Sequence, residues 1–288
     1  MYRFFLQVLF NCVLAGLGFS QKLVGTVVDS TDLSPVLYAT ITNENQRTYT
    51  FSDDLGRFEL FGQVGDSISI QHLGFETNTF LATSNELELK ITPLALMLQE
   101  IVVSDQVSSN IIQNDFKSKA YFAPKLNSSY AFLVKNNINE VVSLEKIVIP
   151  TKFKKGYSNS GYLVVQIYES IHGQPTNPIS EQVAVEFEPS KQIIIPMFED
   201  VAVPVDEFFI VLKRVILGQS FNNKTRNLSA NPFFHSNELT LSKSRSENIS
   251  FIMDNMITKG KWMRSDDYNR ILGFDSMLNI KIECHVQY

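Results

Sequence analysis

The sequence predicts an all-β chain made of two successive β-sandwiches, the second jelly-roll-like. Three observations point there. Short apolar runs rich in β-branched and aromatic residues recur along the chain, separated by Gly, Asp, Asn and Pro, at roughly the 8–12-residue spacing of a sandwich. No long stretch keeps the 3.6-residue apolar period of an amphipathic helix. The 288 residues, 44% hydrophobic and 19% charged, suffice to bury a core without covalent staples.

The first element is an export signal. Met1-Tyr2-Arg3 precedes an apolar run to Phe19 that is broken only by Gln7 and Asn11, and small residues follow at Gly18 and Ser20. One positive charge, a short apolar core and small residues at its end fit a secretory signal over 1–20, cleaved before Gln21. An uncleaved anchor is the alternative, but a span normally needs about 20 apolar residues. Cys12 lies three residues after Leu9, as in a lipobox, yet Phe10 and Asn11 stand where small residues belong. Cleavage removes Cys12 and Arg3. The mature chain then carries a net charge of −6 and the single cysteine Cys284, and no later stretch is long and apolar enough to cross a bilayer. The acidic balance argues against nucleic-acid binding, which needs cations to neutralise phosphates.

Residues 21–104 come next. Strands are expected at 22–28, 36–42, 47–51, 57–61, 67–73, 76–81, 86–91 and 99–104. Glu86-Leu87-Glu88-Leu89-Lys90-Ile91 alternates cleanly, which places Leu87, Leu89 and Ile91 on one face. Asp53-Asp54-Leu55-Gly56 reads as a turn, with Asp bonding nearby backbone and Gly56 free to adopt positive φ.

Gly25-Thr26-Val27-Val28-Asp29, Ala39-Thr40-Ile41, Ser52-Asp53-Asp54-Leu55-Gly56-Arg57-Phe58, Gly65-Asp66-Ser67-Ile68 and Leu73-Gly74-Phe75 follow in order, closed by Leu98-Gln99-Glu100-Ile101-Val102-Val103. This succession resembles the carboxypeptidase regulatory-like domain of Bacteroidetes envelope proteins. The resemblance implies a transthyretin-like β-sandwich without catalytic activity, of the kind attached to outer-membrane transporters and secreted enzymes. In the transporters a plug and a large barrel follow, and the sequence after Ser104 is too short for a barrel of that size.

A polar stretch at 107–116 reads as part of a linker, 105–120, with at most a short helix. The second sandwich then fills 121–288. Its strands are expected at 130–135, 144–149, 162–169, 182–187, 192–196, 208–216, 249–253 and 277–286. In the last, Leu278, Ile280, Ile282, Cys284 and Val286 share a face, so Cys284 is read as a small buried hydrophobe, with a partner-linked thiol as the alternative. Residues 221–237 and 254–267 read as long polar loops, where recognition usually sits. The runs around Val165, Gly173 and Val203 loosely resemble sandwich modules that follow the regulatory-like domain.

No residue set reads as catalytic, metal-binding or cofactor-binding. His72 and Glu76 have the wrong spacing for a carboxypeptidase zinc pair, and His172, His235 and His285 are scattered. Gly156-Tyr157-Ser158-Asn159-Ser160-Gly161 is one residue too long for a nucleophile elbow. Asp53-Asp54 and Asp266-Asp267 suit turn capping, with calcium as the alternative. Asn127, Asn223, Asn227 and Asn248 head Asn-x-Ser/Thr triplets, which chance explains in a chain rich in Asn and Ser. The one patch singled out for ligand binding is the lone tryptophan, Trp262, with Arg264 and Tyr268. A flat aromatic among hydrogen-bonding side chains can stack on a sugar, and it can equally pack a loop.

The sequence-level conclusion is an exported, non-catalytic envelope protein, in the periplasm, on the outer-membrane surface or outside the cell. A structural or docking N-terminal module would precede a sandwich that binds a partner protein or a glycan. The alternative is a hydrolase or accessory acting on extracellular polymer through two of Glu186, Glu188, Glu199, Asp200, Asp206 and Glu207.

Overall fold

A computed structural model describes residues 21–95, 108–113, 120–138, 140–153, 155, 161–222, 233–240, 250–254, 258–271 and 276–288. The export signal, the strand expected at 99–104, and Asn223, Asn227 and Asn248 lie outside the described residues.

The N-terminal strands are β1 (Lys22–Asp29), β2 (Thr40–Asn43), β3 (Thr48–Phe51), β4 (Arg57–Phe61), β5 (Ser67–Gln71), β6 (Asn78–Leu81) and β7 (Glu86–Ile91). Beyond them come β8 (Ser109–Gln113), β9 (Ala120–Phe122), β10 (Ser128–Lys135), β11 (Val142–Lys152), β12 (Tyr162–Ile171), β13 (Gln174–Pro178), β14 (Val183–Glu186), β15 (Gln192–Val203) and β16 (Glu207–Val215). The chain ends with β17 (Phe221–Asn222), β18 (Phe233–Thr240), β19 (Ser250–Asp254), β20 (Met263–Arg264), a helix α1 (Ser265–Ile271), β21 (Ser276–Ile280) and β22 (Glu283–Gln287). The chain is all-β, as its runs predict.

The strands form four sheets. Sheet I has the order β4-β1-β7, with β1 and β7 parallel. Sheet II has the order β17-β3-β2-β5-β6. Sheet III runs β13-β12-β16-β10-β19-β20, with β14 also on β12. Sheet IV runs β21-β18-β11-β22-β8, with β15 on β11 and β9 on β18.

Three apolar layers separate them. Leu23, Ile41, Phe58, Leu60, Ile68, Ile70, Leu87 and Leu89 fill the space between sheets I and II. Phe132, Ile147, Val165, Ile195, Phe208, Ile210, Leu212 and Cys284 fill the space between sheets III and IV. A third layer, with Tyr49, Phe51, Leu133, Val164, Tyr168, Phe209, Val211 and Phe251, lies between sheets II and III. Alternation explains the division. In β16, Phe208, Ile210 and Leu212 point into the inner core, while Phe209 and Val211 point into the seam.

Several expectations are corrected. The polar stretch taken as linker or short helix contains strand β8, which pairs with β22 and buries Ile112 in the inner core. The expected strand at 36–42 begins only at Thr40, because Tyr38 sits at φ 58, a left-handed conformation that interrupts extended chain. The continuous strand at 277–286 is two: β21 pairs with β18, and β22 pairs with β11 and β8. The region taken as a loop at 221–237 contributes β17 and part of β18, and that at 254–267 contributes β20 and the start of α1. Through β17, a strand of the second half completes a sheet of the first: Phe221 pairs with Tyr49, and Asn222 with Thr48.

The Asp53 turn forms as read. Asp53 Oδ1 accepts from the amides of Leu55 at 3.0 Å and Arg57 at 2.8 Å, and Gly56 takes φ 70. Among the described residues no helix is long and apolar enough to cross a membrane.

Candidate functional site

The seam between sheets II and III concentrates the unusual chemistry. Its sheet II face is polar by sequence: the register places Thr40 beside Phe51 and Gln71, and Thr42 beside Tyr49 and Ser69. All six are buried, because the apolar outer face of sheet III covers them. Burying Thr, Ser and Gln is tolerable only when their polar atoms find partners.

Hydrogen bonds between the two modules fall mainly on backbone groups, and Gln71 Nε2 has no partner among the described residues. Lys213 Nζ donates to the Tyr38 carbonyl at 2.7 Å and the Gln71 carbonyl at 3.3 Å, and lies 5.8 Å from the centre of the Phe51 ring. Thr50 Oγ1 donates to the Gln219 carbonyl at 2.9 Å. The Gly74 amide donates to the Tyr168 hydroxyl at 3.0 Å, and Gln182 Nε2 donates to the Leu73 carbonyl.

Burial shifts two titratable groups toward their uncharged forms. Lys213 has no carboxylate partner among the described residues, and desolvation pulls its ammonium down to about 7. His72 is pulled down to about 3, first by desolvation and then by the Lys213 charge. Its ring stands edge-on to Phe75 at 4.8 Å and lies 3.1 Å from Gln182 Nε2 through its own Nε2. A histidine buried this way is a neutral hydrogen-bonding group and not a general base at neutral pH.

A cleft of about 420 Å³ opens along one side of the seam. Both modules line it: Ser34, Pro35, Tyr38, His72, Gly74, Phe75 and Pro93 from the first, Gln166, Pro178 and Gln182 from the second, with Asp29 and Glu181 also among the lining residues. Gly74 takes φ 82, and a Cβ there would meet the Gln166 amide nitrogen at 3.3 Å, so glycine lets the two modules approach. Gln166 is 4% exposed; its Nε2 donates to the Ser180 carbonyl at 2.8 Å, which fixes the amide orientation, while its Oε1 has no hydrogen-bond partner among the described residues. A second opening of about 730 Å³ lies over sheet I, bordered by Thr26, Arg57, Glu59, Glu86, Glu88 and Ser220.

The residues singled out from sequence are used in several ways. Trp262 is half-buried and stands edge-on to Tyr168 at 6.3 Å, packed against the seam layer. The loop before it touches the first module, where Thr77 Oγ1 donates to the Gly260 carbonyl at 3.4 Å. Arg264 Nε donates to Asp266 Oδ1 at 3.2 Å across the start of α1. Tyr268 belongs to α1, and its side chain lies outside the described residues. Cys284 is fully buried between Ile147 and Ile112, and desolvation pushes its thiol far up, so it is packed as a hydrophobe. His72, taken from sequence as a half-buried strand residue, is the member of the seam that spacing alone did not mark. Gln166, Gln182 and Lys213 carried no motif, although a polar residue inside an apolar run was visible at Gln166 and at Lys213-Arg214.

Of the candidate polymer-cleaving carboxylates, Glu186 and Glu207 lie toward opposite ends of β12. Glu186 pairs alongside Tyr162, at the start of β12, whereas Phe208, the neighbour of Glu207, pairs alongside Glu169. Glu207 therefore falls alongside Ser170, from whose Oγ it accepts at 2.6 Å, and eight residues of strand separate the two carboxylate positions by roughly 26 Å at the usual rise. Among the described residues no group of three or more His, Cys, Asp or Glu side chains is placed to hold a metal.

No family model and no curated protein matches this chain. Among solved structures, the clostridial cysteine protease Cwp84 after propeptide cleavage is similar at 12% identity and a TM-score of 0.41, over 82% of this chain and 53% of that one. The cysteine protease and lectin-like domains of Cwp84 from Clostridium difficile give 11% identity and 0.38, over 95% and 60%. A Bacteroides uniformis protein provisionally assigned to carbohydrate binding gives 9% and 0.23, over 91% and 100%. This chain therefore spans between half and two thirds of the two Cwp84 chains. Likeness at this distance carries neither an activity nor a ligand to this chain.

Proposed function

We propose that the chain is an exported, non-catalytic envelope protein whose first module is structural and whose second presents a binding surface to a partner protein or a glycan. One observation carries the reading: the two modules share a buried layer and open a polar cleft along it. Clefts between packed modules, with apolar walls and a few fixed polar groups, are the usual setting of binding sites. The motif order of the first module, with its resemblance to the non-catalytic regulatory-like domain, supports its structural role. The roughly 26 Å of strand between the positions of Glu186 and Glu207 weighs against polymer cleavage by that pair, since paired glycosidase carboxylates stand roughly 5–10 Å apart. The segment that carries Trp262, Arg264 and Tyr268 belongs to the proposed surface, beside the seam.

The test is binding by the mature chain, from Gln21 onward, on glycan arrays and in pull-downs from envelope fractions. A saturable glycan or protein ligand, with no hydrolysis of it, is the expected result. Turnover of a polysaccharide or peptide that is lost on replacing a single carboxylate would overturn the non-catalytic reading.

A further inference from the structure

We propose that the seam cleft binds a neutral saccharide unit. The proposal rests on the binding-protein reading above and assigns it a site and a ligand class.

The polar groups of the cleft select for hydroxyls. Gln166 offers an acceptor, Oε1, that none of the described residues satisfies, and a buried acceptor left unpaired is costly. A donor reaching the cleft floor would recover that cost. Gln182, itself half-buried, commits its Nε2 to the Leu73 carbonyl and the His72 ring and keeps its Oε1 as an acceptor, and the exposed Ser34 hydroxyl both donates and accepts. Sugar hydroxyls donate and accept at once, so they match a mixed set of this kind. Anionic ligands do not: none of the described lining residues is Lys or Arg, and Asp29 and Glu181 are both acidic.

The walls suit the other half of a sugar. Pro35, Pro93, Pro178 and Phe75 present apolar surface for the C–H faces of a ring. The volume, about 420 Å³, falls inside the ~300–1,000 Å³ range of small-molecule sites. Trp262 then acts as a positioning residue: it packs on Tyr168, whose hydroxyl accepts from Gly74, and Gly74 lines the cleft against Gln166.

The experiment presents the mature chain to an array of neutral oligosaccharides of glucose, galactose, mannose and N-acetylglucosamine, with uronic-acid oligosaccharides and proline-containing peptides alongside. Titration follows with the strongest neutral binder. Ser34→Trp fills the mouth from an exposed position and leaves the buried contacts in place. Gln166→Leu removes the acceptor. Each is expected to weaken binding about tenfold or more, the value of one lost hydrogen bond or a blocked site. If Gln166→Leu does not fold, Ser34→Trp decides alone. Neutral-glycan binding undiminished in Ser34→Trp overturns the cleft as the site and leaves the binding reading standing. Preference for the uronic acids or the peptides overturns the ligand class. Failure of the wild-type chain to bind anything, on arrays and in pull-downs alike, overturns both.

Discussion

The two faces of sheet III are both buried, but against different material. Its inner face meets sheet IV across aliphatic and aromatic side chains, with Cys284 among them. Its outer face meets sheet II, whose facing residues are largely Thr, Ser and Gln. The inner core is thus held by packing, and the seam by packing together with specific hydrogen bonds from Lys213 and Gln182. The difference teaches why the seam, and not the core, holds the cleft. A largely polar face under a largely apolar cover leaves one buried atom on each side, Gln71 Nε2 and Gln166 Oε1, without a partner among the described residues.

The largest effect should show that both faces are true core. Phe208→Ala and Phe209→Ala truncate neighbouring, fully buried residues on opposite faces, and each is expected to cost about 3–5 kcal/mol in urea denaturation. A Phe209 variant with near-native stability would break the comparison, since the seam would then be a loose contact between independent modules.

The next largest effect concerns charge. Lys213 titrates near 10.5 in the unfolded chain and about 7 in the fold. Between those values the unfolded state binds more protons, so stability from this group is complete above 10.5 and is lost as pH falls to 7. Melting temperature should therefore rise from pH 7 toward 10, and Lys213→Met should flatten that rise. An unchanged alkaline slope in the variant would contradict the buried, unpaired ammonium.

His72 gives the acid counterpart. Its pKa falls from 6.5 to about 3, so its contribution is complete above 6.5 and is lost as pH falls to 3. His72→Gln should reduce the acid loss of stability in this window, read from melting curves between pH 3 and 7. The smallest effect is expected at the edge of the seam, where Trp262 is only half-buried. Trp262→Ala should cost about 1–2 kcal/mol, below the ~3–5 of a fully buried aromatic.

Much of this fold was legible in the sequence, and the reason the rest was not is physical. Alternation found β4 and β7 with their limits intact, because each has one face in the core and one toward solvent. The same alternation in Thr40–Asn43, Thr48–Phe51 and Ser67–Gln71 suggests a solvent-facing side, which the structure buries. The clue lay in the other module. Tyr130–Val134, Leu163–Val165 and Phe208–Leu212 are apolar without alternation, the pattern of strands buried on both faces. Read together, those runs require something to cover the outer side of sheet III. β8 was missed because polar neighbours hide Ile111-Ile112, and an edge strand needs only one face in the core. The cleft was not legible at all, since Ser34, His72, Gln166 and Gln182 meet only through tertiary packing and share no spacing.

The most direct test of the seam is differential scanning calorimetry of the mature chain. One buried layer shared by both modules, completed by β17 crossing from one to the other, predicts a single transition with calorimetric and van't Hoff enthalpies in agreement. Two resolved transitions, one for each module, would contradict it.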